Sequence, residues 1–273
     1  MRAYRHAALA CAGLAALGAA SSSGAHVRVV ATAAAVPSAA ARDELSAVCP
    51  PLSLPDREAC VSFRGVESEA RELAMQSASH HDRHGNLTVY DQIPRTPDRP
   101  ESYDAYRYPI PVGEHAHVSG FDLDKPDVDQ RRGASLSAVG HGGVDLLAKR
   151  GTEVRALPLE HQDGEAEVVY VGPLFGTTVV TRNSVREAGR VRDYLVLHGH
   201  LDGAAPGLAK GARVAAGDLL GYVGDTGSEG VVHLHLELRR VRDGVDGNAL
   251  PPGEIAANDR TVAVDPRNLL PLR

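Results

Sequence analysis

Three short segments of this 273-residue chain carry histidines beside glycine or apolar residues, and one of them adds an aspartate. The segments are His141-Gly-Gly-Val-Asp145, His198-Gly-His200 and His233-Leu-His235. Imidazole and carboxylate groups are zinc ligands, and three such ligands with a fourth position left open are typical of catalytic zinc sites. Such a site activates water near neutral pH and polarises the carbonyl group that the water attacks. The residue types therefore predict zinc-dependent hydrolysis, in which histidines outside the ligand set transfer protons and stabilise the developing oxyanion.

His141 and Asp145 are four residues apart, and on a helix this spacing would place them on one face. The glycines on both sides of His141 argue against a helix, because each costs about 1 kcal/mol in a helix interior. We therefore predict a turn at His141 that leads into a strand containing Asp145. A carboxylate in this apolar strand costs free energy unless a cation or hydrogen-bond donors meet it. A metal ion would offset that cost.

The histidines near position 235 lie in a second predicted strand, residues 231–239. Its alternation sends His233, His235 and Glu237 to one face and the leucines between them to the other. A third apolar strand ends at His200. A single histidine on a strand is usually a hydrogen-bonded polar group. Here, however, five of the thirteen histidines fall at three glycine-flanked strand ends, which favours one shared site.

These motifs resemble those of the lysostaphin-type (LytM-like) zinc endopeptidases of peptidoglycan. His141 and Asp145 match the family's H-x-x-x-D motif, and His233 and His235 match its H-x-H motif, with Glu237 following. Two further segments, Gly221-Tyr-Val-Gly224-Asp-Thr-Gly227 and Val264-Asp-Pro266, also look like family signatures. The resemblance covers residues 112–273 and does not extend to residues 27–111.

The resemblance implies one Zn²⁺ per chain, held by His141, Asp145 and His235. It implies that His200 and His233 are catalytic histidines that do not bind the metal. The implied substrates are stem or cross-bridge peptides of peptidoglycan, whose peptide bonds a zinc-activated water would hydrolyse. The implied fold is a mainly β, antiparallel catalytic domain.

Some positions leave alternatives open. Where the family usually has tyrosine, this chain has His198, which either hydrogen-bonds His200 or is a tolerated variation. His115 and His117 form another H-x-H, but no acidic partner follows at metal spacing, so we interpret them as groove or surface residues.

Two alternative functions of the protein are a non-catalytic LytM-like module that activates other cell-wall hydrolases and a three-histidine zinc hydrolase or hydratase of small molecules. The intact motif positions argue against the module.

Short apolar or alternating runs closed by glycine, aspartate and asparagine predict an antiparallel β domain beyond residue 112. The candidate strands are residues 143–148, 166–171, 177–182, 193–198, 218–223 and 231–239. Before Val112, residues 94–111 have the composition of a proline-rich connector, and an apolar period near 3.6 predicts a short helix over much of residues 56–79. We therefore expect a tether, a helical segment and a connector in residues 26–111, and a peptidase domain in residues 112–273.

The first residues have the composition of a secretory signal peptide, which we assign to residues 1–25. Arg2 and Arg5 precede an apolar run of fourteen residues, 7–20, and small residues follow. About 20 apolar residues are needed to cross a bilayer, so no stable membrane anchor is expected. This pattern predicts a protein exported to the periplasm or the cell exterior. In that oxidising compartment, Cys49 and Cys60 would form a local disulfide.

The formal net charge of this chain is −6. Nucleic-acid binding proteins usually carry a basic stripe that neutralises phosphates. The acidic balance of this chain therefore argues against nucleic acid as a partner.

Overall fold

A computed structural model describes residues 53–56, 59–62, 70–81, 85–113, 116–124 and 140–273. The chain divides into two compact units, Met1–Gly65 and Val66–Arg273. The first unit contains an antiparallel hairpin of β1 (Ser53–Asp56) and β2 (Ala59–Ser62). The predicted signal peptide and Cys49 lie outside the described residues, so cleavage and the disulfide with Cys60 stay predictions.

Twelve described strands of the second unit join in one hydrogen-bonded sheet. They are β3 (Gln76–His81), β4 (Leu87–Ile93), β5 (His117–Ser119), β6 (Gly143–Leu147), β7 (Glu153–Arg155), β8 (Ala166–Leu174), β9 (Gly176–Glu187), β10 (Arg190–Ala204), β11 (Arg213–Val214), β12 (Leu219–Val223), β13 (His233–Val241) and β14 (Thr261–Val264). Short 3₁₀ helices are Tyr103–Ala105, Pro252–Glu254 and Pro266–Asn268. The predicted mainly β fold is confirmed. No helix among the described residues is long and apolar enough to span a membrane.

The main strand order is β11-β8-β9-β10-β13-β14-β4-β3. β6 pairs with β13 and β5, while β12 pairs with β10 and β7. The described pairs are antiparallel except β14 with β4, which run parallel. The sheet is therefore mixed, and β13 lies inside it with partners on both sides.

The two faces of β13 have different roles. Leu234, Leu236 and Leu238 point into the main apolar core. The alternating residues on the opposite face include His233 and His235, as predicted from the period of two. All nine residues of the strand are buried. The polar face of β13 is therefore enclosed by protein, which restricts where its imidazoles can turn.

The predicted helix over residues 56–79 is wrong in its described parts. Residues 59–62 and 76–79 belong to strands, and residues 71–75 are not helical. The backbone of this segment bonds to the sheet, because Ala70 N–H donates to the Arg186 carbonyl and Leu73 N–H donates to the Glu187 carboxylate. The Leu73 side chain is buried in the main core. Tertiary contacts therefore override the helical periodicity.

The proline-rich segment packs against the sheet. Tyr103, Tyr106 and Ile110 are buried in the same apolar cluster as Leu269 and Leu270, and the Tyr106 hydroxyl donates to the Pro100 carbonyl at 2.6 Å. The division between the compact units falls between residues 65 and 66. The predicted boundary near residue 112 therefore lies inside the second unit.

We expect a chain that begins at Tyr108 to fold poorly and one that begins at Val66 to remain folded. The shorter chain loses β3, β4 and the buried Tyr103 and Tyr106 side chains. Removing a single large aromatic side chain from a core costs roughly 3–5 kcal/mol, a large part of a typical stability of about 5–15 kcal/mol. Thermal unfolding followed by circular dichroism measures both chains. Equal melting temperatures would contradict a structural role for residues 66–107.

Candidate active site

The side chains of His141, Asp145 and His235 meet on the polar face of β13. His141 Nε2 lies 3.0 Å from Asp145 Oδ1 and 3.3 Å from His235 Nδ1. His235 Nδ1 lies 2.9 Å from the same Asp145 oxygen. Two imidazole nitrogens and one carboxylate oxygen thus converge on one point, and they can hold a metal ion.

Strand register explains why Asp145 and His235 meet. β6 and β13 are antiparallel, and His235 is the direct register partner of Asp145. His141 precedes β6 and is fixed by two backbone hydrogen bonds with Asp122, of 2.8 and 2.9 Å. A Cβ atom on Gly142 would lie 2.6 Å from Glu237 Oε1. The glycine after His141 therefore leaves space for a buried carboxylate behind the site.

Each histidine of the cluster directs one nitrogen to the shared point and the other to a protein oxygen. His141 Nδ1 lies 2.6 Å from the Gly120 carbonyl oxygen, so it carries the proton and donates it there. His235 Nε2 lies 3.1 Å from Glu237 Oε2 and is the donor of that pair. Such outer partners fix the tautomer and orientation of metal-binding histidines. His141 Nε2 and His235 Nδ1 are left to bind a cation, and this donor set with one carboxylate fits zinc.

The electrostatics of the cluster favour a positive charge at its centre. Burial alone would lower the pKa of His235, but hydrogen bonds to Asp145 and Glu237 raise this pKa to about 9. Burial would raise the pKa of Glu237, but the charge of Arg239 and the His235 hydrogen bond lower it to about 2. Glu237 is therefore ionised at neutral pH. An environment that favours a proton on His235 also favours a cation in its place, so binding of a metal ion there would release a proton.

Behind His235, a buried chain of polar contacts continues away from the site. Arg239 donates to Glu237 Oε1 at 2.5 Å, to Thr261 Oγ1 at 2.7 Å and to the Ala256 carbonyl at 3.0 Å. The sequence places Glu237 on the histidine face, but it does not reveal that Arg239 holds this carboxylate. The signal available in the sequence was the alternation of this strand, which continues from Glu237 to Arg239 and places both side chains on the same face.

We expect Glu237→Gln to weaken metal binding by about 10- to 100-fold, the usual effect of removing an outer partner of a metal ligand. The amide keeps the shape of the side chain but loses the charge that holds the His235 Nε2 proton and pairs with Arg239. Competition with a chromogenic zinc chelator measures the affinity. Glu254→Gln is the control, because this carboxylate pairs with Arg260 at the surface. Wild-type affinity in Glu237→Gln would contradict the supporting role.

His200 and His233 lie beside the cluster, with ring centroids 4.6 Å apart. His233 Nε2 lies 3.6 Å from Asp145 Oδ1, and the His200 ring centroid lies 5.8 Å from that of His235. Burial, and then the positive charge near His235, lower the pKa of His200 to about 4. His200 is therefore neutral at pH 7. Its Nδ1 lies 2.8 Å from the Thr226 carbonyl oxygen and donates to it, which leaves Nε2 as a proton acceptor.

The structure separates His198 from His200. His198 is on the core face, buried, with Nδ1 3.3 Å from the Val179 carbonyl oxygen, and burial lowers its pKa to about 4. His200 has a φ of 59°, and the ladder with β9 is interrupted between His198 and Leu201. This left-handed backbone conformation turns the His200 imidazole to the opposite face of the sheet. The alternative in which His198 hydrogen-bonds His200 is therefore wrong.

His117, from the other histidine pair of the sequence, lies outside the cluster. His117 is exposed on β5, with its ring centroid 5.1 Å from that of Tyr103. This position agrees with its interpretation as a surface residue. His115 lies outside the described residues.

Part of the chain matches a known family of peptidases. Residues 139–250 match the model of peptidase family M23. The chain is similar to Helicobacter pylori Csd3 (21% identity over 60% of this chain and 39% of that one, TM-score 0.34). It is also similar to the catalytic domain of lysostaphin from Staphylococcus simulans (18% identity over 50% of this chain and 83% of that one, TM-score 0.32). A further similar structure is a catalytic-domain variant of the prophage-encoded M23 protein EnpA from Enterococcus faecalis (22% identity over 49% of this chain and 87% of that one, TM-score 0.32).

The chain thus spans about two fifths of the length of Csd3. The matched range contains every histidine and aspartate of the cluster and both neighbouring imidazoles. This match confirms the resemblance drawn from the sequence motifs.

Proposed function

From the family M23 peptidase domain at residues 139–250, we propose that this protein is a zinc-dependent endopeptidase that hydrolyses peptide cross-links of bacterial peptidoglycan. The observation that carries the proposal is the convergence of His141, Asp145 and His235 beside two further imidazoles. A metal-binding set alone would fit a structural site. The two imidazoles next to it supply the proton transfers that hydrolysis requires.

In this proposal, His141, Asp145 and His235 hold one zinc ion per chain. Bound zinc supplies a Lewis acid, which makes water acidic enough to react near pH 7 and polarises the carbonyl group that is attacked. The remaining steps belong to the protein. Nε2 of His200 or His233 accepts a proton from the attacking water, and the same pair returns a proton to the leaving amine. The imidazole that has accepted the proton at Nε2 can donate a hydrogen bond to the developing oxyanion before it passes the proton on.

Glu237 is not the general base in this scheme. Its carboxylate is buried and bonded to His235 through one oxygen and to Arg239 through the other. It therefore lies behind His235 and cannot reach a water at the centre of the site. This leaves His200 and His233 as the proton carriers among the described residues.

The surroundings of His233 suit a peptide with small apolar side chains. Leu147 is the register partner of His233 and is 47% exposed, and Val231, two residues before His233, is 50% exposed. Stem and cross-bridge peptides of peptidoglycan offer such short side chains. The exposed apolar residues beside the imidazoles therefore support a peptide substrate over a charged small molecule.

Digestion of purified sacculi tests the proposal. The full-length protein is expected to release soluble muropeptides, a chelator is expected to stop the release, and added zinc is expected to restore it. Mass spectrometry of the products identifies which peptide bond is cut. Asp145→Ala is the inactive control. No digestion by zinc-loaded protein, together with stimulation of another wall hydrolase, would instead indicate the non-catalytic activating module.

The proposal includes export, because a cell-wall substrate lies outside the cytoplasm. The proposed order is a signal peptide at residues 1–25, an intervening region at residues 26–111 that contains the Cys49–Cys60 disulfide, and catalysis by residues 112–273.

A further inference from the structure

Both proposed catalytic imidazoles hydrogen-bond to the backbone of one loop, residues 224–232. His200 Nδ1 lies 2.8 Å from the Thr226 carbonyl oxygen, and His233 Nδ1 lies 2.8 Å from the Val231 carbonyl oxygen. A neutral imidazole carries its proton on either nitrogen, and the hydrogen bond it makes selects between them. The position of this loop therefore decides whether Nε2 of each ring is free to accept a proton.

Asp225 organises the loop from within. Its Oδ2 accepts from Gly230 N–H at 3.1 Å, and its carbonyl accepts from Ser228 N–H at 2.9 Å. Ser228 in turn accepts from Val231 N–H at 3.0 Å. The two carbonyl groups that meet the imidazoles thus belong to one folded turn, and a displacement of Asp225 shifts both.

Thr226 ties the same turn to β9 and β10. Its hydroxyl donates to the Leu201 carbonyl at 2.8 Å and accepts from Thr177 N–H at 2.8 Å. Gly176 has a φ of +58°, and a Cβ atom there would lie 1.8 Å from the Thr226 carbonyl oxygen. Only glycine lets β9 begin this close to the acceptor of His200. The Thr226 carbonyl is therefore held on two sides.

Arg150 connects the loop to the strand that carries His200. It pairs with Asp225 Oδ1 at 2.5 Å through one terminal nitrogen and with the Asp202 carboxylate through the other. Asp202 lies two residues after His200, and a Cβ atom on Gly224 would overlap its carboxylate. The guanidinium fork therefore bridges the loop and the end of β10, and such planar two-site pairing is a property of arginine rather than lysine.

We propose that Arg150, Asp225 and Thr226 are positioning residues that fix the loop of residues 224–232, so that His200 and His233 both keep Nδ1 on the loop carbonyls and direct Nε2 to the substrate. The proposal rests on the function proposed above. None of the three side chains is placed in the ligand set or in contact with the reacting atoms. Their effect reaches the reaction through the two carbonyl oxygens that accept from the imidazoles.

A purely structural role for the Arg150 cluster predicts a different result. Arg150 is 49% exposed, as is typical of surface ion pairs that contribute little to stability. The matched control is Arg186, which is 48% exposed and pairs only with Asp163 among the described residues. If ion pairs at the surface acted only on folding, Arg150→Ala and Arg186→Ala would behave alike.

The experiment compares full-length Arg150→Ala, Arg150→Lys and Arg186→Ala with the wild type, and Thr226→Val with Thr226→Ser. Zinc content, melting temperature, kcat and KM on a cross-linked muropeptide are measured for each. Long-range ¹H–¹⁵N correlation of the zinc-loaded protein reports which nitrogen of each histidine carries the proton. The NMR readout does not depend on activity, so it remains informative if the protein proves not to be a peptidase.

We expect Arg150→Ala and Thr226→Val to lower kcat by about 10-fold, part of the 10²- to 10⁴-fold contribution of a positioned proton-transfer group. Zinc content, melting temperature and KM should stay near wild type, and the Nδ1–H signals of His200 and His233 should weaken in favour of Nε2–H. Thr226→Ser should retain full activity, and Arg150→Lys should fall between wild type and alanine. Unchanged tautomers in both Arg150→Ala and Thr226→Val would overturn the proposal. An equal loss of kcat in Arg186→Ala would also overturn it.

Discussion

Asp145→Ala is expected to empty the metal site and abolish peptidase activity. Asp145 Oδ1 is the one anionic donor of the cluster and lies within 3.0 Å of nitrogens from both His141 and His235. Without it, two imidazoles alone must hold the cation. Of the two carboxylates that contact His235, Glu237 would then be left to stabilise a cation that replaces the His235 proton. Metal affinity depends on the deprotonated ligands that the protein provides, and the variant lacks one of the three. We therefore expect the zinc content to fall from about one per chain to below about a tenth of that value.

Metal analysis of purified protein after dialysis against buffer without chelator measures this loss. His141→Ala and His235→Ala should give the same result, and Asp193→Ala should retain zinc, because Asp193 pairs with Arg182 and Ser184 away from the site. The melting temperature of the zinc-free forms separates loss of metal from loss of fold. Full zinc content in all three ligand variants would show that the proposed ligand set is wrong.

The strands that carry the site could be predicted because their patterns are local. The alternation of residues 231–239 fixes which side chains of β13 share a face, and the glycines around His141 fix the turn before β6. These signals depend on backbone geometry over a few residues. The pairing of His235 with Asp145 is a register between strands ninety residues apart in sequence. The family motifs implied that these residues share a site, whereas alternation alone could not.

The orientation of His200 could not be predicted from its sequence. Regular alternation places His198 and His200 on one face, yet a φ of 59° turns His200 to the other. Residues other than glycine rarely adopt this backbone conformation, and no residue type near His200 indicates it. Hydrogen bonds from His200 N–H to the Phe175 carbonyl at 2.8 Å and from its ring to Thr226 stabilise it. Strain at a non-glycine residue in a site is a known feature of functional positions.

Two features of the chain depend on contacts that local sequence does not show. Gly199 is one of them, because a Cβ atom there would lie 2.9 Å from Phe175 Cβ and 3.3 Å from His235 Cβ. The glycine therefore makes room for the site's own side chains. In residues 70–75, the buried Glu187 and Arg240 bind both backbone groups of Leu73. These partners lie more than a hundred residues away in sequence, so no periodicity in the segment could reveal them.

Removal of the proposed proton carriers should have a different effect from removal of a ligand. His200→Ala and His233→Ala are expected to retain about one zinc per chain and to lose on the order of 10² to 10⁴ in turnover. Neither ring provides a nitrogen to the set formed by His141, Asp145 and His235. Each ring instead donates Nδ1–H to a loop carbonyl and leaves Nε2 toward the site. The ground-state metal site should therefore survive while the proton transfer is lost.

Zinc content and single-turnover cleavage of a cross-linked peptide, measured side by side for each variant, distinguish these roles. His117→Ala is the control, because His117 is exposed and lies outside the cluster. The double variant adds a sharper test. If both imidazoles serve one proton path from the water to the amine, losing the second should cost much less than losing the first, since residues that act as a unit are not additive. Independent roles would make the two losses multiply. Zinc loss in either single variant would assign that residue to the ligands, and retained turnover in both would remove the imidazole pair from the mechanism.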